Sequence, residues 1–185
     1  MTLVTSLTFI ATATSVSMTG ATPVFAEVEP DYWCLDVEDV KKRITGKTKA
    51  IIGVHLFGQC YSTELIHLCG EHNLALIEDA AQAHGASIVH NGTPTMAGAL
   101  GTVSCFSFFP SKNVAVGGEG GMITLLIQRL EPESNPLSIM AETGHFNLKK
   151  LEPTCGCLRS LLPLVVCNWN TLTVGLTIAG QTLQY

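Results

Sequence analysis

The segment IEDAAQAHG (77–85) sets two carboxylates, Glu78 and Asp79, directly after the apolar run Leu74, Ala75, Leu76 and Ile77. A carboxylate at the mouth of a buried strand is costly unless something positive meets it. The segment CFSFFPSKN (105–113) carries Lys112 five residues after Ser107, behind three phenylalanines and ahead of the glycine run GGEGG (117–121). An ammonium held among Phe106, Phe108 and Phe109 would have its pKa pushed down. That is the condition under which a lysine attacks a carbonyl and forms a Schiff base. Each feature alone has a plainer reading. An aspartate after a strand commonly caps a turn or a helix, and a loop lysine is commonly just solvated.

These residues need elements that bring them to one place. From residue 22 to about 125 the pattern alternates strand and helix. Asp36 is placed to cap a helix through VEDVKKRI, with an acidic first turn, a basic last turn and Gly46 as its stop. KAIIGVHL reads as a strand buried on both faces. Ser62 is placed to cap a helix through TELIHLCGEHN, which repeats Leu65, Leu68 and Cys69 on one face and stops at Asn73. LALIEDAA is the next buried strand, ASIVH-NG-TPTM a hairpin about an Asn-Gly turn, and GTVSCFSF and GMITLL complete the set. The expected fold class is α/β, with a mostly parallel sheet and flanking helices, in which reactive groups gather beyond the carboxyl ends of the strands.

Composition narrows the function. A net charge of −5 and no stripe of basic residues argue against nucleic acid and an anionic membrane surface as partners. Seven cysteines without metal-ligand spacing favour reduced, buried thiols and a cytoplasmic protein. The start, LVTSLTFIATATSVSM followed by ATPVFAEV, imitates a secretory signal, yet the first basic side chain is Lys41. A buried helix leading into the strand TPVFAEV, with Val24, Ala26 and Val28 alternating, is the preferred reading, and an exported protein the alternative. GGEGG is no dinucleotide fingerprint, since no helix pattern follows it, and GKT (46–48) lacks the upstream glycine of a phosphate loop. Without export, Asn91-Gly-Thr is a turn rather than a glycosylation site.

In this order, the acid and the amine describe a lysine that forms an imine and an acid that keeps a pyridine nitrogen protonated, so that the ring can accept electrons. The chain from SLTFIATATSVSMTGATPVFAEVEPDYWCLD through TKAIIGVHLFGQ, LIEDAAQAHGA and GALGTVSCFSFFPSKNVAVGGEGGMIT resembles the DegT/DnrJ/StrS family over about residues 3–125. These are pyridoxal 5'-phosphate-dependent aminotransferases acting on keto groups of nucleotide-linked sugars. The resemblance implies a partial large domain of the aspartate-aminotransferase-like, fold-type I transferases. It implies that Lys112 binds the cofactor covalently and shuttles a proton, that Asp79 pairs with the pyridinium nitrogen, and that Gln82 bonds the phenolic oxygen. Ser107 would bind the phosphate, and Phe9 would stack on the ring, worth about 1 kcal/mol beyond burial. Relatives that remove a sugar hydroxyl carry histidine where this chain has Lys112, so the resemblance favours amino transfer over dehydration. His55 and His84 lie close to these motifs without an assigned role; buried, satisfied histidines are the plainer reading.

The resemblance further implies a keto sugar nucleotide and an amino-acid donor, glutamate or glutamine, in polysaccharide biosynthesis, and a homodimer in the full-length family. Residues 1–125 are expected to form the partial cofactor-binding domain and 126–185 a divergent tail in which no domain is recognisable. Family members are longer, with a preceding phosphate-binding segment and a C-terminal domain. The expectation for the chain alone is therefore an uncovered sheet edge, weak cofactor binding and aggregation. A non-catalytic remnant or interaction protein that keeps the sheet is the other reading.

Overall fold

The computed structural model describes residues 1–118 and 120–125, together with the strands Leu137–Glu142, Asn168–Trp169 and Leu172–Thr173. Its centre is a sheet whose apolar runs became strands where alternation or continuous burial required it. The parallel members are β1 (Thr2–Thr5), β2 (Pro23–Ala26), β3 (Ala50–Val54), β4 (Ala75–Asp79) and β7 (Val103–Ser107). Next to β7 lies antiparallel β8 (Gly120–Leu125), and next to β8 lies antiparallel β9 (Leu137–Glu142). The order across the sheet is β2-β1-β3-β4-β7-β8-β9. The strand AIIGV of β3 is buried at all five positions, as a strand covered on both faces must be.

Three short helices cover the faces. Between β1 and β2 runs α1 (Ala11–Met18); α2 (Val37–Arg43) joins β2 to β3; and α3 (Glu64–Glu71) joins β3 to β4. The chain first steps from β1 outward to β2 and then crosses back to β3 and β4, so the direction of winding reverses between β1 and β3. Right-handed crossovers then put α1 on one face and α2 and α3 on the other. The cores agree. Ala13 and Val16 of α1 pack with Val4, Ile52 and Ile77, whereas Val37, Val40, Leu65 and Leu68 pack with Leu3, Ile51 and Leu76.

Local signals in the sequence are realised closely. The Asp36 side chain accepts a 2.9 Å hydrogen bond from the Glu38 N–H and caps α2. Ser62 Oγ accepts from the Glu64 N–H at 3.2 Å at the start of α3. Asn73, at φ 51°, ends that helix in the left-handed region. The hairpin β5 (Ser87–His90) to β6 (Thr93–Met96) turns through Asn91 and Gly92, at φ 50° and 76°. Two expectations change. The first residues, read as a helix leading into a strand, begin with β1, a four-residue strand between β2 and β3 whose threonines hid its apolar periodicity. Also, α2 ends at Arg43 because Ile44 already has extended backbone, two residues before Gly46.

Among the described residues no helix is long and apolar enough to cross a membrane. β8 is not an edge of the sheet. Its outer side pairs with β9 in an unbroken register from Gly120 opposite Glu142 to Leu125 opposite Leu137. The divergent tail expected over 126–185 lies outside the described residues except for β9, β10 (Asn168–Trp169) and β11 (Leu172–Thr173).

Candidate cofactor site

The five residues singled out in the sequence come from beyond the carboxyl ends of three parallel strands. Phe9 follows β1, Asp79 and Gln82 end and follow β4, and Ser107 and Lys112 end and follow β7. In sheets of this type that edge, where the winding reverses, is where the loops diverge and leave room for a ligand.

Asp79 closes β4, and its side chain leaves on the α1 face. Its Oδ1 accepts from the Ala81 N–H at 3.1 Å, and its Oδ2 accepts from Thr12 Oγ1 of α1 at 3.4 Å. Burial raises its pKa above the ordinary aspartate value; the Ala81 N–H, the Lys112 charge, His55 and Thr12 oppose that shift without cancelling it. Lys112 therefore stands near enough for its charge to act on Asp79. It is half-buried, and its backbone N–H donates to the Phe109 carbonyl at 2.8 Å, closing the turn that follows β7. Among the described residues its ammonium makes no ion pair.

Ser107 is 1% exposed at the end of β7, on the same face as Asp79 by the alternation of the strand. Its Oγ accepts from the Phe109 N–H at 3.3 Å, which leaves the hydroxyl proton for an acceptor outside the strand. Gln82 is oriented by its own carbonyl: Oε1 accepts from the Phe57 N–H at 2.8 Å, so the amide nitrogen turns away from that contact. Phe9 stands 59% exposed just before α1, with its carbonyl accepting from the Thr12 N–H at 3.0 Å. The run after Lys112 is open; a methyl group added at Gly117 or Gly118 would meet nothing within 4 Å.

Other participants were not legible in the sequence. Thr12 reaches Asp79 and also shares a 2.9 Å hydroxyl contact with Thr8; the i, i+4 spacing of the two threonines was the available signal. Glu78 leaves on the opposite face from Asp79 and is fully buried. Its Oε1 accepts from the N–H groups of Leu100 (2.8 Å) and Gly101 (2.6 Å) and, in a very short contact, from Ser104 Oγ. Its Oε2 meets His55 Nε2 at 2.8 Å and the Gly98 N–H at 2.9 Å. Burial pushes the Glu78 pKa up, but these donors outweigh it and hold the carboxyl below its ordinary range. His55 is half-satisfied: Nε2 is paired, while Nδ1 is buried without a partner. Its ring stacks on Tyr61 at 4.3 Å.

His84 departs further from the expectation of a satisfied core histidine. Both ring nitrogens are buried without a hydrogen-bond partner, and the ring lies 5.5 Å from Phe106 and 5.6 Å from Phe108. Burial lowers its pKa; the Ser107 carbonyl near the ring opposes that without cancelling it, and the Lys112 charge adds to the lowering.

Comparison with known proteins identifies the family and the fold. Residues 1–139 match the DegT/DnrJ/EryC1/StrS aminotransferase family. The UDP-N-acetyl-3-dehydro-alpha-D-glucosamine 3-aminotransferase of Acidithiobacillus ferrooxidans is 43% identical over 130 residues, 70% of this chain and 34% of that protein. The crystal structure of an aminotransferase from Psychrobacter cryohalolentis aligns with a TM-score of 0.62 at 38% identity, covering 67% of this chain and 31% of that one. That of Streptomyces venezuelae DesV, in complex with a ketimine intermediate, aligns with a TM-score of 0.58 at 43% identity, covering 65% and 32%. The chain thus spans about a third of the length of the proteins it matches.

Proposed function

Because the chain belongs to the DegT/DnrJ/EryC1/StrS aminotransferase family, we propose that it carries the cofactor-binding portion of an enzyme that moves an amino group from an amino acid to a keto sugar nucleotide. The family's aminotransferases depend on pyridoxal 5'-phosphate, and the residues at the sheet edge suit that group. One observation carries the reading. A half-buried acid, Asp79, whose charge is only partly satisfied, faces the field of a lysine that makes no ion pair among the described residues, and Ser107 at the neighbouring strand end keeps its hydroxyl proton available.

When bound, pyridoxal 5'-phosphate supplies an electron-accepting ring. The chain's own residues would then act as follows. Asp79 accepts the hydrogen bond of the ring N–H, and the raised cost of its buried charge is relieved by that positive partner. Gln82, with Oε1 held by the Phe57 N–H, offers its amide nitrogen to the phenolic oxygen. Ser107 Oγ–H donates to a phosphate oxygen. Phe9, exposed ahead of α1, covers one ring face. Lys112 Nζ would hold the cofactor covalently and, as a free amine, would serve to carry a proton. A histidine there could move a proton but not attach the cofactor, so Lys112 supports amino transfer rather than dehydration.

The donor is proposed to be glutamate or glutamine, the setting polysaccharide biosynthesis in the cytoplasm, and the assembly a homodimer. These belong to the longer protein of which the family's members are examples. The test is reductive trapping. The chain, mixed with pyridoxal 5'-phosphate and reduced with borohydride, should carry the pyridoxyl group on Lys112 and lose the label in Lys112→Ala. Labelling spread over surface lysines and unchanged in Lys112→Ala would defeat the proposal. Turnover of keto sugar nucleotides with glutamate then decides between an active enzyme and a remnant that only binds.

A further inference from the structure

We propose that Glu78 and His55 form a positioning device for Asp79, an inference that rests on the cofactor role proposed above for that acid. His55 grips the Glu78-Asp79 pair twice. Its backbone N–H donates to the Asp79 carbonyl at 3.0 Å, and its ring Nε2 meets the Glu78 carboxylate at 2.8 Å. Tyr61, fully buried, stacks flat on the imidazole with an interplanar angle of 14° and fixes the ring's plane. Gly53 leaves the space for it: a methyl there would lie 2.6 Å from the tyrosine ring.

The remaining donors tie this pair to the strand that leads to the lysine. Gly98, Leu100 and Gly101 bring the loop before β7 onto the carboxylate, and Ser104 brings β7 itself. Three separate pieces of chain, the end of β3, the 98–101 loop and β7, thus converge on one carboxylate behind the sheet. In front of it, β4 presents Asp79, and β7 with the turn that follows it presents Ser107 and Lys112. An apolar side chain at position 78 would fill the space more cheaply, because burying a charge is costly even when it is paired. What the carboxylate adds is direction. Five donors at hydrogen-bond distance define the height of β4 against β3 and β7, where apolar packing tolerates sliding. Asp79 sits one residue further along that strand, so its carboxyl inherits the definition.

Hydrogen exchange on the cofactor-free full chain tests the device without relying on activity. In Glu78→Gln, one oxygen becomes an amide nitrogen that accepts nothing. The amides of His55, Ala80 and Ala81, bonded to the Asp79 carbonyl, the Cys105 carbonyl and Asp79 Oδ1, should exchange about tenfold faster, while those of β1 keep their wild-type rates. The affinity for pyridoxamine 5'-phosphate, which needs no bond to Lys112, should fall about tenfold as well. His55→Gln, which still offers a donor to the intact Glu78 carboxylate, should show both losses in weaker form. Unchanged exchange at the three amides, or uniform acceleration through every strand, would overturn the inference. If Glu78→Gln does not fold, Ser104→Ala removes only one of the five donors and must show the same local pattern, weaker. Failure of the wild-type chain to bind pyridoxamine 5'-phosphate would instead defeat the proposed function, with the exchange pattern still deciding whether Glu78 holds the end of β4.

Discussion

Glu78 and Asp79 are consecutive residues of β4, and their carboxyl groups leave through opposite faces of the sheet into opposite electrostatic situations. Behind the sheet, five donors hold Glu78 below the ordinary carboxylate range. In front, burial raises Asp79 above it, and the Ala81 N–H, Lys112, His55 and Thr12 oppose that without cancelling it. One strand end therefore carries a satisfied acid and an unsatisfied one.

The lowered Glu78 pKa makes a signed prediction. A carboxyl whose folded pKa lies below its unfolded value contributes stability above the unfolded pKa, near 4.5, and loses it as pH falls through the folded value. Glu78→Gln should cost about 2–4 kcal/mol at pH 7, the range for leaving buried donors unpaired. The two proteins should converge in urea melts as pH drops below the folded Glu78 value. A constant difference across that range would mean the carboxylate is not the charged partner described.

His84 predicts the opposite kind of variant. Its folded pKa lies below the ordinary 6.5, so the unfolded chain binds the extra proton and His84 costs stability as pH falls below 6.5 towards the folded value. Replacing it by leucine removes two buried nitrogens that lack partners. His84→Leu should be as stable as the wild type or more so at pH 7, with a flatter stability profile below pH 6.5. Chemical denaturation at closely spaced pH values measures both effects.

Gly101 is fixed by space rather than by backbone angle. A Cβ there would lie 2.7 Å from the Leu76 carbonyl oxygen and 2.8 Å from Glu78 Cγ, so the loop or the acid must move. Gly101→Ala should lose about 1–3 kcal/mol, the usual cost of overpacking, read as a lowered urea midpoint with an unchanged slope.

The described cysteines predict a chemical pattern. Cys34, Cys60, Cys69 and Cys105 are buried, and burial pushes the Cys69 thiol up to about 12. The thiolate is the reactive form, so at pH 8 the native chain should leave Cys69 unalkylated by iodoacetamide. Unfolding in urea should make the same peptide react fully, as peptide mass spectrometry would show. Native modification of Cys69 would mean that α3 opens far more readily than its packing indicates.

Much of this was legible in the residues. The order of strands and helices from β2 to β8, the Asp36 cap, the Asn91-Gly92 turn and the segments bearing Asp79 and Lys112 all follow from local rules: apolar runs, capping oxygens and residues that accept a left-handed backbone. These signals act over a few residues, and a linear string records them fully. β1 escaped because four residues, half of them threonine, carry too short a pattern, and its burial comes from β2 and β3 on either side.

What the string alone determined, then, is which residues are chemically able to act and which elements carry them. Only the tertiary structure decided that Thr12 reaches Asp79, and that His55 and the 98–101 loop close on Glu78. The reason is physical. Strand alternation sends neighbours to opposite faces, but which donors wait on each face depends on how the crossovers wind, and those donors lie 20 to 67 residues away in sequence.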